Sequence, residues 1–135
     1  MKEIDKKLIE TISRYTASGI DQQVDYEKFY LYSLITHSTA IEGSTVTEVE
    51  NQLLFDEGIA AKGRSLNEQM MNVDLKNAYL YGFEWAKTGQ PYSVELLCEL
   101  SAKVMRRTGS EYSTMGGSFD SSKGELRRCN VSAGI

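Results

Sequence analysis

The twelve residues His37–Glu48, written HSTAIEGSTVTE, decide the fold of this chain because one helix ends within them and another begins. Gly43 is the residue type that most often follows the last turn of a helix, so Glu42 is predicted to lie in that turn. Ser38 lies four residues earlier on the same line of the helix, where its hydroxyl can hold the carboxylate. The negative end of the helix dipole disfavours a carboxylate there by about 0.3–1 kcal/mol, which favours an arginine partner for it.

The sequence predicts about five helices, each with its own start or stop signal. The first two are a helix that stops near Gly19 and a helix that begins near Asp21 or Asp25 and ends at Gly43. The third starts at a capping box, either Thr45 with Glu48 or Thr47 with Glu50, and ends at Gly58. The last two are a long helix from the Ser65 capping box to about Lys87 and a helix capped by Ser93.

Apolar periodicity marks one side of each of two helices. The first helix carries a single apolar stripe, made of Ile4, Leu8, Ile12 and Tyr15. The fourth helix has a predicted buried line of Leu66, Met70, Val73, Asn77 and Tyr81.

The composition changes after Arg107, since residues 108–125 hold four glycines and five serines. That composition predicts a long loop. The residues from Leu126 to Ile135 could begin a strand or a hairpin. A lone strand cannot satisfy its own backbone hydrogen bonds, so we expect the natural chain to continue past Ile135.

The bulk composition excludes several classes of protein. A net charge of −4 argues against a sequence-independent nucleic-acid binder, which needs a basic face. The sequence contains no stretch of about 18 apolar residues, so it predicts no membrane-spanning helix. Its start, MKEIDKKLIETI, does not have the pattern of a secretory signal, and we therefore expect a cytoplasmic protein. Two cysteines and one histidine are too few soft ligands for a zinc site, so we expect reduced thiols and no metal site.

The segment Ser38–Gly43, STAIEG, matches the pattern [S/T]xxxE[G/N] and resembles the inhibitory-helix motif of Fic-domain proteins. Further landmarks are similar to the same family in the same order. They are the restart Ser44–Glu50, the long helix with Asn72, Asn77, Ala78 and Tyr79, the Pro91–Ser93 opening of the next helix, and the tail Leu126–Val131. The resemblance covers about residues 25–135 and is carried by these landmarks together.

The resemblance implies a partial, all-α, Fic-like helical bundle with a possible hairpin strand at its C-terminal end. Residues 1–135 would be the N-terminal part of a Fic domain. Its parts would be an inhibitory helix at about 21–43, a helical scaffold at 45–107, and a Gly/Ser-rich loop at 108–135 that leads to the flap. The flap is the family's β-hairpin that positions the target, and the tail match assigns Arg128 and Val131 to it.

The activity implied is AMPylation, the transfer of AMP from ATP to a hydroxyl group of a target protein. ATP and Mg²⁺ would serve the complete protein, with neither bound tightly by this chain. Glu42 would pair with an arginine that otherwise holds the γ-phosphate, and so inhibit the reaction. Ser38 would support that glutamate, and Gly43 would let the chain turn away beside the nucleotide.

The sequence departs from the family because it contains no H-P-F-x-[D/E]-G-N-G-R-x-x-R motif, which carries the base, the metal ligand and the phosphate-binding arginines. Its one histidine, His37, belongs to the predicted inhibitory helix, where we expect a packed or surface residue. No catalytic residue is therefore assigned to this chain, and we expect it to be inactive alone.

Three hypotheses follow. The chain is the N-terminal part of an autoinhibited Fic adenylyltransferase, a non-enzymatic, antitoxin-like regulator of a separate Fic chain, or a helical protein-interaction domain. The implied partners are the target protein, the missing C-terminal half or a separate Fic chain, and a second copy of this chain that covers exposed apolar surface. Neither a nucleic acid nor a membrane is among them.

Overall fold

A computed structural model describes residues 2–132, and this part of the chain is mostly helical with one small sheet. The α-helices are α1 (Glu3–Ala17), α2 (Tyr26–Ile41), α3 (Glu48–Glu57), α4 (Leu66–Lys87) and α5 (Val94–Val104). The strands are β1 (Glu111–Thr114) and β2 (Gly117–Asp120), and short 3₁₀ helices span Ile20–Gln22 and Ser121–Lys123. The prediction of about five helices is confirmed.

The helix ends follow the local signals closely. α2 begins at Tyr26, not near Asp21, because the Asp25 carboxylate caps it by accepting the Lys28 amide at 3.0 Å. Thr47 and Glu50 form the capping box of α3, with the Thr47 amide donating to the Glu50 carboxylate at 2.8 Å. Ser65 caps α4 and Ser93 caps α5, as predicted.

The chain divides into two compact units, residues 1–31 and residues 32–135. In the first unit α1 turns at Gly19, whose φ of 71° is left-handed, into the 3₁₀ helix. No described residue of α1 is buried, and its apolar stripe faces solvent, with Ile4 77% exposed.

The second unit is organised around α4, which is buried on two different faces. The buried side chains of α4 are Gln69, Asn72, Asp74 and Ala78. The predicted single line of Leu66, Met70, Val73, Asn77 and Tyr81 is wrong, since Leu66 is 72% exposed and Asn77 is also exposed. The cause is that Asn72 contacts the turn after α2, while Asp74 contacts the chain just after α5 and α4 also packs against α5.

The predicted Gly/Ser loop at 108–125 is wrong, because this region holds an antiparallel hairpin. Tyr112 pairs with Phe119 and their rings stack at 5.1 Å, which buries Phe119. Met115 and Gly116 form the two-residue connection. A hairpin near the C-terminal end is thus present, as predicted, but it precedes the tail: residues 126–132 are not strand, and residues 133–135 lie outside the described part.

An ion pair between the buried Asp74 and the partly exposed Arg107 fixes the path from α5 into the hairpin. Asp74 is 0% exposed, and its carboxylate accepts a hydrogen bond from the Arg107 amide at 2.7 Å. The Arg107 guanidinium also donates to this carboxylate. The chain just after α5 is therefore tied to the middle of α4, and the hairpin starts from a defined point.

Between residues 2 and 132, no helix combines the length and the apolar character needed to cross a membrane.

Candidate functional site

The end of α2 is a Schellman motif, the hydrogen-bonded stop that a left-handed glycine allows. The Gly43 amide donates to the Ala40 carbonyl at 3.0 Å, and the Ser44 amide donates to the Thr39 carbonyl at 3.0 Å. Gly43 has a φ of 94°, a conformation that side-chain-bearing residues rarely adopt. Glu42 is therefore the cap residue of α2, one residue after its last helical position and not inside the last turn as predicted, although the helix does end within two residues of Gly43.

The buried side-chain amide of Asn72, in α4, holds the end of α2 through hydrogen bonds. Asn72 is 0% exposed, and its oxygen accepts a hydrogen bond from the Thr39 hydroxyl at 2.8 Å. Its nitrogen donates to the Ser44 hydroxyl at 3.1 Å. Thr39 and Ser44 flank the stop, so a single side chain of α4 joins the last turn of α2 to the residue that follows Gly43.

A second buried amide, that of Asn51 in α3, extends the same network. Its nitrogen donates to the oxygen of Asn72 and to the Thr36 hydroxyl, both at 2.8 Å. These hydrogen bonds join α2, α3 and α4, although the side-chain oxygen of Asn51 is buried without a hydrogen-bond partner among the described residues.

The turn after Glu42 is also held from outside, by the glutamate of the α4 capping box. One oxygen of Glu68 accepts hydrogen bonds from the amide and the hydroxyl of Thr45, at 2.8 and 2.7 Å. The other accepts from the amide and the hydroxyl of Ser65, at 3.0 and 2.8 Å. The hydrogen bonds from Thr45, followed by those from Ser65, lower the pKa of Glu68 from 4.5 to about 2.

We predict that Glu68 stays ionised far into the acid range. Because its folded pKa is lowered, its contribution to stability is fully present above its ordinary pKa of 4.5 and is lost as the pH falls towards about 2. Carboxyl chemical shifts measured by NMR across this range, with Glu68→Gln to assign the signal, check this. A Glu68 carboxyl group that titrates at its ordinary pKa contradicts the observed hydrogen bonds.

Arg64 connects the capping box of α3 to Thr45, which Glu68 of the α4 capping box also holds. Its Nη1 donates to the Thr45 hydroxyl at 3.0 Å, and its Nε lies 3.2 Å from both carboxylate oxygens of Glu50. Glu50 in turn accepts the amide and the hydroxyl of Thr47 at 2.8 and 3.0 Å. We call Thr45, Thr47, Glu50, Arg64 and Glu68 the turn clamp, since together they hold residues 45–47.

The side chain of Glu42 contrasts with this fixed backbone. Glu42 is exposed, and within residues 2–132 its carboxylate makes no hydrogen bond and no ion pair. The Ser38 hydroxyl, expected to support it, forms no hydrogen bond with it in the described part of the chain. Ser38, Glu42 and Gly43 thus share one helix end, but the structure does not join Ser38 to Glu42.

His37 is a surface residue, one of the two placements expected for it. Its side chain is 73% exposed, and its Nε2 lies 3.0 Å from the carboxylate of Glu48 at the start of α3. The same carboxylate oxygen accepts the Ser33 hydroxyl at 3.0 Å. Nothing in this geometry gives His37 a substrate-facing position.

The tail residues assigned to target positioning lie beside the hairpin turn. The Arg128 carbonyl lies 3.2 Å from the Thr114 hydroxyl. A Cβ at Gly116 would come within 2.1 Å of that carbonyl, so this close approach requires glycine. Val131 is 66% exposed. No described hydrogen bond or ion pair joins either Arg128 or Val131 to Glu42.

Metal-binding residues are not gathered in the described chain. Between residues 2 and 132, no three His, Cys, Asp or Glu side chains are placed to hold one ion. Cys98 and Cys129 are unpaired thiols.

Sequence reasoning missed Asn51 and Arg64, and it recognised Glu68 only as a capping residue. A usable signal was present for Asn51, because a polar residue that is a poor helix former stands inside α3. For Arg64 no local pattern exists.

Compared with known proteins, the sequence matches no protein-family model and no curated protein. Function is therefore inferred from the turn and its contacts.

Proposed function

We propose that this chain is the regulatory and scaffold part of a Fic-like protein that transfers AMP from ATP to a hydroxyl group of a target protein, with Glu42 holding the activity off. One observation carries the proposal. At the end of α2 the backbone is fixed by a Schellman motif and a buried amide, while the exposed Glu42 carboxylate has no partner among residues 2–132. A fixed backbone with an available anion suits a side chain that meets a cation from elsewhere.

In AMP transfer the target hydroxyl oxygen attacks the α-phosphorus as the bond to pyrophosphate breaks, and the hydroxyl proton passes to a base. The base and the phosphate-binding arginines come from outside these 135 residues, because the sequence lacks the motif that carries them. The part of Glu42 is electrostatic. An arginine that pairs with this carboxylate cannot also hold the γ-phosphate, so the triphosphate is not aligned for the attack.

The second unit supports the scaffold part of the proposal. A groove of about 350 Å³ between α4 and α5 is lined by apolar side chains and Gly82, and it offers a face on which a further helix can pack. Its lining residues are Leu75, Ala78, Tyr79, Gly82, Phe83, Leu100 and Val104. Arg128 and Val131 are proposed to position the target, and their exposure supports this role.

We predict that the isolated chain transfers no AMP. None of its groups is placed to act as the base, and the arginines of the catalytic motif are missing from its sequence. Incubation with labelled ATP and a cell lysate should leave all proteins unlabelled. Labelling that disappears with His37→Ala would contradict the proposal that the catalytic groups come from elsewhere.

The experiment that tests the function begins with the source of the catalytic motif. The coding sequence after residue 135 and the proteins that copurify with the chain are searched for H-P-F-x-[D/E]-G-N-G-R. The protein that carries the motif is then assayed for AMP incorporation with this chain present as wild type or as Glu42→Gly. Higher AMP incorporation with Glu42→Gly than with wild type supports the proposal, whether the motif lies in the same chain or in a separate one. Absence of activity from both forms overturns it.

A further inference from the structure

The α4 capping box does more than start a helix. In an ordinary capping box the glutamate satisfies the backbone of its own cap residue. One carboxylate oxygen of Glu68 accepts both hydrogen bonds from Ser65. The other oxygen accepts hydrogen bonds from the amide and the hydroxyl of Thr45, 23 residues earlier in the chain. Glu68 therefore links the start of α4 to the turn that follows Glu42.

The geometry of the turn makes this link important for Glu42. Gly43 has no side chain to restrain the direction in which the chain leaves α2, and its left-handed conformation is one of several that glycine can adopt. The direction is set by the two hydrogen bonds of the Schellman motif together with the contacts that hold the residues after Gly43. Ser44 is held by Asn72, and Thr45 is held by Glu68 and Arg64.

We propose that Glu68 is a positioning residue which, through Thr45, keeps the turn closed and so holds Glu42 in its inhibitory place. The inference rests on the proposed inhibitory function of Glu42. Glu68 does not touch nucleotide or target. It acts through two hydrogen bonds from Thr45, which add to the Schellman motif and to Asn72 in holding the turn beside Glu42. The lowered pKa of Glu68 keeps these bonds charge-assisted at neutral pH.

The test uses Glu68→Gln in the protein that carries the catalytic motif. A glutamine side chain has one acceptor oxygen and one NH₂ group, so its oxygen can accept from the backbone amide of Ser65 or of Thr45 but not from both as Glu68 does. We expect AMP incorporation to rise by roughly two- to thirtyfold, the range seen when residues outside a ligand site change coupling. In the Glu42→Gly background the same substitution should add nothing, because the residue it positions is gone.

Two further variants separate positioning from a general loss of stability. Thr45→Val removes the hydroxyl but leaves the α4 capping box intact, and it should raise activity in the same direction. Ser93→Ala removes the cap of α5, whose hydroxyl accepts the Leu96 amide at 3.1 Å, and should not raise activity. A structural defect would lower activity in every variant, whereas loss of positioning raises it in two of them.

The outcomes distinguish the two claims. If Glu42→Gly is activated while Glu68→Gln and Thr45→Val are not, or if Glu68→Gln activates further in the Glu42→Gly background, the positioning role is overturned and the inhibitory role stands. If Glu42→Gly is itself no more active than wild type, the inhibitory role falls, and the role of Glu68 falls with it.

Discussion

Glu42→Gly is expected to raise AMP incorporation by roughly tenfold or more in the protein that carries the catalytic motif. Removing one partner of a desolvated ion pair typically changes the free energy by about 3–5 kcal/mol, and about 1.4 kcal/mol corresponds to a factor of ten. A tenfold gain in AMP incorporation thus requires less free energy than the loss of such an ion pair typically releases. It arises because the arginine released from Glu42 becomes available to the γ-phosphate.

Folding should be little affected by this change. Glu42 is exposed and follows the last helical residue, Ile41, so the substitution removes no buried contact. Glu57→Gly is a matched control, because Glu57 is also an exposed glutamate at a helix end, followed by the left-handed Gly58. AMP incorporation from labelled ATP is compared at equal thermal stability. If Glu42→Gly is no more active than wild type and Glu57→Gly, the inhibitory role is wrong.

Asn72→Ala is expected to lower the free energy of unfolding by about 2–4 kcal/mol. The amide is fully buried and bonds to Thr39, Ser44 and Asn51. Its removal leaves three buried polar groups without this partner, and each unsatisfied group costs about 1–3 kcal/mol. The Thr39 hydroxyl also lies 3.1 Å from the Ile35 carbonyl, so it has an alternative partner and the costs do not simply add.

Urea unfolding followed by circular dichroism measures this change, with Asn77→Ala as the control. Asn77 lies in the same helix but is exposed, so its replacement should change the free energy of unfolding by no more than about 0.5 kcal/mol. Equal stabilities for the two variants would mean that the Asn72 network contributes nothing to the fold. A loss of stability confined to Asn72→Ala would show that the buried Asn72 network stabilises the second unit.

The buried faces and the sheet were the least predictable parts of the fold. An apolar stripe predicts one buried face, but α4 contacts two sets of neighbours, so Asn72 and Asp74 are buried while Leu66 is not. In the hairpin, the many glycines and serines leave no clear alternation of apolar and polar residues. Only Tyr112 and Phe119 mark its paired face, and they become informative once the register is known.

What the sequence by itself determined about this protein is where its helices begin and end. Gly43 and Gly58 stop α2 and α3, and the pairs Thr47–Glu50 and Ser65–Glu68 start α3 and α4, because each signal acts within a few residues. Only the tertiary structure decided which side chains hold the turn after Glu42. Asn72 reaches Thr39 and Ser44 across 33 and 28 residues, and Glu68 reaches Thr45 across 23. Such contacts depend on how the helices pack against one another, and no local pattern of residues encodes that packing.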